Sequence, residues 1–397
     1  MGMYNKIAAV FSGQGSQYVG MGKDLYRNYT VAKEVFDKAS AILGIDIISL
    51  ITESNQEELN RTENAQIAVF VTSIAAFKVF EEECKVKPIV VAGHSLGEIS
   101  ALTVAGAFSF KDALLLVHDR AMYMKEACNN CSGTMYAIRN VLHSNIIELI
   151  KDEKDIWISN INSKNQVVIS GKVDSVKKFV NEITAEGAII NELKVSGAFH
   201  SGLMKSASEK LKLRLNDITI NEPRIPVISN VNARFEGKKD IADNLYRHLV
   251  MPVLWSQTTE KLIGLGVQAV IEFGAGHVLT NMINYDTSGA IDTFLFEKNE
   301  DIKSTILQIN LCYEEKEINI FERCLAAAIC KKNNNNDYAD YENNVVKNIE
   351  FLRKNIEKKN ISAEDIEDAI EALRIILMTK KLSNEEINET VIGVKRK

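Results

Sequence analysis

The chain has 397 residues, of which 46% are hydrophobic and 25% are charged, as is typical of a soluble globular protein. Its net charge of −6 gives no basic field for nucleic acid, and its apolar runs are shorter than the roughly 20 residues of a membrane span. Six cysteines in a chain of this length do not form a disulfide framework, and no export signal is apparent. We therefore expect a cytoplasmic protein that binds neither nucleic acid nor membrane.

Short apolar runs typical of buried strands recur along the chain between stretches with helical periodicity. They lie at residues 7–11, 89–92, 167–169, 227–229 and 267–273. Such alternation is typical of an α/β fold with a mostly parallel sheet. We predict this fold for the chain up to residue 303.

The run at residues 89–92 leads into the sequence GHSLG at residues 93–97, and a strong helix start follows. This is the G-x-S-x-G pattern, which places a serine on a sharp turn between a strand and a helix. The turn exposes the hydroxyl, and free N–H groups at the start of the helix face any oxyanion formed there. The pattern predicts Ser95 as a nucleophile, and the alternative is a chance glycine-rich turn.

Between residues 128 and 196 the pattern changes to strand, helix, two strands, helix and strand. This is the order of a ferredoxin-like unit. We predict that residues 128–196 form a small subdomain inserted into a large one, which consists of residues 1–127 and 197–303. An insertion of this kind makes a cleft.

From residue 304 the composition becomes polar, and KKNNNN at residues 331–336 indicates a solvated loop. Two helices are predicted after it, because residues 362–365 and 383–386 have the spacing of capping boxes. An apolar stripe within residues 366–377 indicates core packing or, alternatively, a partner surface. We expect residues 304–397 to form a mostly helical extension.

A serine hydroxyl needs a neighbouring base to act as a nucleophile, and the chain has six histidines. His94 adjoins Ser95 but would point elsewhere on so tight a turn, whereas His118 and His143 lie in apparently helical stretches. His200 lies in a glycine-containing loop after a predicted strand, where catalytic groups are commonly placed. The residues alone leave the choice of base open.

Several separated motifs together resemble the malonyl-CoA:acyl carrier protein transacylase family. They are GQGSQ at residues 13–17, GHSLGE at 93–98, Arg120, GAFHS at 197–201 and GAG at 274–276. Their order and rough spacing are similar to those of the family, which implies an α/β-hydrolase-like large subdomain with an inserted ferredoxin-like small subdomain. The resemblance also implies malonyl-CoA and an acyl carrier protein as partners, with no metal and no bound cofactor.

The family uses a serine and a histidine, so the resemblance implies Ser95 as the nucleophile and His200 as the general base. It implies that a backbone carbonyl, here that of His248, orients the base in place of an acidic residue. Relatives often have glutamine at this position. The substitution matters little if only the main chain acts.

The resemblance also assigns groups that recognise the acyl substrate. The oxyanion donors would be the backbone N–H groups of Gln14 and Leu96. Arg120 resembles the arginine that pairs with the substrate carboxylate, although an arginine on a helix is more often a structural or solvated charge. Phe199 resembles the bulky residue that crowds an α-methyl branch, with core packing as its alternative. Ser12 stands where relatives usually have proline, which predicts a looser oxyanion loop.

The extension after residue 303 is the feature that indicates which biosynthetic pathway the enzyme serves. It resembles the C-terminal part of stand-alone acyltransferases that serve polyketide synthase modules lacking their own, and we predict malonyl transfer in trans to such a synthase. The alternatives are a transacylase of fatty-acid synthesis, an acyl hydrolase of the same family and a catalytically silent docking protein. Arg120 argues against the hydrolase, and Ser95 with His200 argues against the silent protein.

Overall fold

A computed structural model describes residues 4–84, 86–184, 188–312, 320–335, 337–358 and 361–395. These residues form two compact units, which divide between residues 312 and 320. The N-terminal unit contains two β-sheets, and the C-terminal unit is helical. No helix among the described residues has the length and apolarity needed to cross a membrane.

The strands, in chain order, are β1 (Ile7–Phe11), β2 (Val90–Gly93), β3 (Gly133–Arg139), β4 (Ile156–Ser163), β5 (Gln166–Lys172), β6 (Ile189–Glu192), β7 (Val227–Ile228), β8 (Val253–Leu254), β9 (Ala269–Phe273) and β10 (Asp292–Phe296). The helices of the N-terminal unit are α1 (Lys23–Asn28), α2 (Thr30–Leu43), α3 (Ile47–Thr52), α4 (Gln56–Leu59), α5 (Thr62–Glu83), α6 (Gly97–Val104), α7 (Phe110–Asn130), α8 (His143–Leu149), α9 (Val173–Thr184), α10 (Lys205–Leu215), α11 (Lys238–His248), α12 (Trp255–Gly264), α13 (Val278–Thr287) and α14 (Asn299–Cys312). Those of the C-terminal unit are α15 (Ile320–Cys330), α16 (Tyr338–Tyr341), α17 (Lys347–Asn355), α18 (Ala363–Thr379) and α19 (Asn384–Lys395).

The large sheet is parallel, with the strand order β10-β9-β1-β2-β7. Its central strand, β1, has the sequence IAAVF and is buried at every position. A continuous apolar run suits such a strand, because helices cover both faces of a parallel sheet. The predicted α/β fold is confirmed, although β10 was not predicted. As an edge strand it is only half-buried and has a weak apolar pattern.

The small sheet also follows the prediction. Its elements β3, α8, β4, β5, α9 and β6 have the predicted order, and its strands β6-β3-β5-β4 pair antiparallel, as in a ferredoxin-like unit. One further strand joins it. The two-residue β8, which lies outside residues 128–196, pairs parallel to β4, with Val253 opposite Asn160. A strand this short leaves no periodic signal in the sequence.

The C-terminal unit packs around an apolar core of its own. Ser362 caps α18 through the predicted capping box with Asp365. The predicted apolar stripe of α18 faces this core, except that Ile366 at its start is 40% exposed. Core packing is therefore the correct interpretation of the stripe. The predicted solvated loop is exposed at residues 332–334, whereas Asn335 is buried and donates a hydrogen bond to Asp340. Asn336 lies outside the described residues.

Candidate active site

Ser95 occupies the turn between β2 and α6, at the carboxyl edge of the large sheet. Its φ of 52° lies in the left-handed region, which residues other than glycine seldom adopt outside functional turns. A Cβ at Gly93 would overlap the backbone of Gly97, and a Cβ at Gly97 would overlap the carbonyl of Phe11. Only glycine fits at these two positions, which explains the glycine spacing around Ser95.

Asn230 supports this turn and was missed in the sequence. Its Oδ1 accepts a hydrogen bond from the Ser95 N–H at 2.7 Å, and its Nδ2 donates to the Gly93 carbonyl at 2.6 Å. Its side chain is fully buried. The only signal available was its position just after a predicted strand, at the sheet edge where α/β proteins place functional groups.

The structure brings His200 to Ser95 across the cleft. The His200 Nε2 lies 2.8 Å from the Ser95 Oγ, and the Nδ1 lies 2.7 Å from the backbone oxygen of His248. Because a carbonyl only accepts hydrogen bonds, Nδ1 carries the proton and Nε2 is free to accept the serine proton. The neighbouring His94 points away, with its Nε2 3.0 Å from Asn162.

Burial sets the protonation state of His200. Removal from water and, to a smaller extent, the nearby charge of Arg120 together lower the pKa of its imidazole from 6.5 to about 3. The imidazole is therefore neutral at neutral pH, which is the form that can accept a proton.

Arg120 lies on α7, next to the nucleophile and 2% exposed. One guanidinium nitrogen donates to the Ser95 Oγ at 3.2 Å, and the other donates to Gln66, a residue that the sequence did not identify. Within the described ranges, no carboxylate lies within 4.0 Å of the guanidinium. Burial lowers its pKa to about 10, so it remains a cation. The buried Glu98 carboxyl group acts on this cation without direct contact, and an anionic ligand at the guanidinium can stabilise the cation further.

A cavity of about 250 Å³ opens over Ser95 and His200. Phe199 and Gln14 line it with several apolar side chains. Arg120, Leu96 and His248 are not part of its surface and reach the site through the contacts of Ser95 and His200. In the part of the chain that the structure describes, no group of three or more His, Cys, Asp or Glu side chains is placed to bind a metal ion.

The loop that contains Gln14 packs directly on the nucleophile turn. A Cβ at Gly13 would overlap the carbonyl of His94, so glycine is needed for this approach. Among the described residues, neither the Gln14 N–H nor the Leu96 N–H has a hydrogen-bond acceptor. These two groups are available as donors to a bound oxygen.

The prediction that Ser12 loosens this loop is wrong. The Ser12 Oγ donates to Glu272 at 3.1 Å and lies 3.3 Å from the carbonyl oxygen of Ala275, and the Ser12 N–H donates to Phe273. These buried contacts anchor the start of the loop to the end of β9, so hydrogen bonds replace the rigidity of a proline.

A nucleophile turn, a histidine partner and a cavity between two subdomains point to acyl-group chemistry. The family described as the Acyl transferase domain matches residues 9–304, so the protein is an acyltransferase. It is 38% identical to the malonyl CoA-acyl carrier protein transacylase of Escherichia coli K12, over 72% of this chain and 94% of the relative. A Bacillus subtilis protein of the same name is 34% identical over 95% of this chain and 97% of its own.

Comparison with solved structures points to the same family. A transacylase of that name from Clostridium perfringens matches with a TM-score of 0.74 and 33% identity, covering 77% of this chain and 98% of the other. A malonyl-transacylase solved with its type II polyketide acyl carrier protein matches with a TM-score of 0.74 and 34% identity, covering 77% of this chain and 100% of the other. The chain belongs to the malonyl CoA-acyl carrier protein transacylase family, which confirms the resemblance found in the sequence.

Proposed function

We propose that the protein transfers the malonyl group of malonyl-CoA, through an ester on Ser95, to the phosphopantetheine thiol of an acyl carrier protein. The single observation that carries this proposal is the buried Arg120 guanidinium, 3.2 Å from the Ser95 Oγ and with no carboxylate within 4.0 Å among the described residues. A guanidinium can bind both oxygens of a malonyl carboxylate through parallel hydrogen bonds, a geometry that lysine cannot reproduce.

In the first half-reaction, the Ser95 Oγ attacks the thioester carbonyl while the His200 Nε2 takes the hydroxyl proton. The Gln14 and Leu96 N–H groups receive the negative charge that develops on the carbonyl oxygen. The C–S bond then breaks, and His200 returns its proton to the departing CoA thiolate. The malonyl group remains as an ester on Ser95.

The second half-reaction reverses these steps with a new thiol. His200 removes the proton of the phosphopantetheine thiol, and the thiolate attacks the seryl ester. The C–O bond breaks, and Ser95 regains the proton from His200. One imidazole serves both halves, so it must keep one tautomer, and the His248 carbonyl on Nδ1 supports this requirement.

Arg120→Ala should lower acylation by malonyl-CoA by about 10²-fold or more, because each charge-assisted hydrogen bond contributes about 1.5 to 3 kcal/mol. Acetyl-CoA lacks the carboxylate and should be much less affected. Acylation rates with both thioesters would be compared for wild type, Arg120→Ala and the matched variant Arg120→Lys, which keeps the charge but loses the planar fork. Equal losses with both thioesters would make Arg120 structural and would reopen the hydrolase alternative.

We further propose that the enzyme serves a polyketide synthase in trans. The support is the C-terminal unit. The Bacillus subtilis relative aligned over 95% of this chain extends through it. A second relative, from Bacillus subtilis strain 168, aligns with 70% of this chain and 90% of itself, and so lacks most of the extension. Bacillus subtilis thus has one relative with the extension and one without most of it, and this favours a separate task for the longer protein.

Transacylation in fatty-acid synthesis is the second candidate, since the relative from Bacillus subtilis strain 168, which lacks most of the extension, is 42% identical over 70% of this chain. Two carriers would separate the candidates: a carrier domain excised from a polyketide synthase and a stand-alone fatty-acid carrier. We expect kcat/KM to favour the polyketide domain by about tenfold or more, a difference of about 1.4 kcal/mol per factor of ten. Equal values or the opposite preference would support fatty-acid synthesis.

Removal of residues 314–397 should leave acylation of Ser95 by malonyl-CoA largely unchanged. Every residue assigned to the site belongs to the N-terminal unit, and the C-terminal unit has a separate apolar core. Intact-mass measurement of the malonyl-enzyme would follow the reaction, with circular dichroism to verify folding. A folded truncated protein that no longer acylates would show that the extension contributes to the first half-reaction.

A further inference from the structure

The side chain of His248 is buried behind the proposed base. It is 1% exposed, and its ring centroid lies 4.9 Å from that of His200. Its Nδ1 lies 3.3 Å from the Oε2 of Glu98, which is itself fully buried. Within the described residues, neither that Glu98 oxygen nor the His248 Nε2 has an aligned hydrogen-bond partner. The imidazole therefore lies against the carboxyl group within 3.3 Å, and the contact is an ion pair only when the ring is protonated.

Glu98 also contacts the residue that supports the nucleophile turn. Its Oε1 accepts a hydrogen bond from the backbone N–H of Asn230 at 3.2 Å, and the Asn230 side chain in turn holds the Ser95 turn. One carboxyl group therefore touches both halves of the site: the nucleophile turn through Asn230 and the base through His248.

Two ionisable groups are rarely buried together unless they share a proton or a charge. Burial raises the pKa of Glu98 and lowers the pKa of His248, and both directions favour an uncharged pair, with the proton of the contact on Glu98, over an ion pair. The other charged or titratable groups that act on the pair are Arg120, Glu236, His94 and His200.

The carbonyl that orients His200 lies in the last turn of α11, which ends at His248. Carbonyls in the last turn of a helix have no partner within the helix, and helix ends fray. A side chain fixed against Glu98 holds this peptide group in one orientation. The contact between the His248 Nδ1 and Glu98 therefore restrains the same residue whose backbone carbonyl accepts the 2.7 Å hydrogen bond from His200.

We propose that Glu98 and the His248 imidazole are positioning residues, which hold the His248 carbonyl on the Nδ1 of His200 and so maintain the tautomer that accepts the Ser95 proton. The inference rests on the proposed function of His200 as the base. It assigns a role to the side chain at position 248, where the resemblance assigned one to the main chain alone.

The first test compares His248→Leu with His248→Gln. Leucine removes the contact with Glu98 but leaves the main chain, whereas glutamine keeps an amide oxygen that can accept a hydrogen bond from the Glu98 carboxyl group. Because a general base contributes about 10²- to 10⁴-fold, a poorly held base should lower kcat by about tenfold in His248→Leu, with KM for malonyl-CoA unchanged. His248→Gln should recover the wild-type kcat. A wild-type kcat in folded His248→Leu would overturn the proposal.

Ring ¹⁵N spectra of histidine-labelled protein provide a readout that needs no substrate, with six histidines to assign. His200 should carry its proton only on Nδ1 in wild type and His248→Gln, and should show both tautomers in His248→Leu. A single Nδ1–H tautomer in all three proteins would also overturn the proposal. Since no acyl group takes part, this result is independent of whether malonyl-CoA is the substrate.

Glu98→Gln tests the contact itself if His248→Leu does not fold. The Asn230 N–H still donates to an oxygen at this position, so the oxygen of the new glutamine amide faces Asn230 and its NH₂ group faces His248. Both the neutral carboxyl group and the amide donate to Nδ1, so the His248 ring should keep its proton on Nε2 while its Nδ1 signal shifts with the weaker amide donor. Unchanged His248 ring signals would show that the two side chains do not interact.

Discussion

Replacement of Ser95 by alanine should abolish formation of the malonyl-enzyme and all transfer to a carrier protein. The proposed reaction passes through an ester on the Ser95 Oγ, and no other hydroxyl stands 2.8 Å from the His200 Nε2 among the described residues. The fold should persist, because the turn is built from its two glycines and the contacts of Asn230 with the backbone. The expected effect is therefore loss of chemistry without loss of structure.

Mass spectrometry provides the measurement. Wild-type protein mixed with malonyl-CoA should gain one malonyl group on the peptide that contains Ser95, and Ser95→Ala should gain none. Ser100→Ala is a matched control, since Ser100 is buried on α6, the helix that follows Ser95, and its hydroxyl has no hydrogen-bond partner in the described structure. A malonyl group on any residue other than Ser95 would refute the assignment.

His200→Ala should slow both half-reactions by about 10²- to 10⁴-fold, the usual contribution of a general base. Acylation by malonyl-CoA and transfer to the carrier would be measured separately. His118→Ala, which changes a half-exposed histidine on α7, serves as the control and should match wild type. If His200→Ala acylates at the wild-type rate, the histidine is only a loop residue.

The pH dependence provides a further measure of His200. The base is active when unprotonated, and its pKa is lowered to about 3, so lowering the pH should protonate it only near that value. The kcat/KM for malonyl-CoA reports the free enzyme and should therefore show no acid limb centred near 6.5, the ordinary pKa of histidine. A limb at that position would mean that the base is solvated.

The nucleophile turn was predictable because its requirements are local. The two glycines, the serine and the flanking strand and helix occupy adjacent positions, and each has a steric reason to be there. The base was different. His200 reaches Ser95 from 105 positions away in the chain, so residue types alone could not distinguish it from the other histidines. The resemblance to a family identified His200 as the base, which the local sequence pattern could not do.

Asn230 and the Glu98–His248 contact were missed for a related reason. Asn230 meets the nucleophile turn only because β7 pairs with β2, and a two-residue strand carries almost no pattern. Glu98 appears in the sequence as an ordinary acidic residue in the first turn of a helix, where such residues are usually solvated. Its burial is a consequence of the assembled fold.

The pairing of β8 with β4 has a mechanical consequence. A segment of the chain that belongs to the large subdomain is paired with the small sheet, so a rotation of one sheet relative to the other would break the backbone hydrogen bonds between β8 and β4. Two bulky molecules, a coenzyme and a whole carrier protein, must use the same entrance in turn. The pairing ties β8 to the small sheet and so opposes rotation of the two sheets during either exchange.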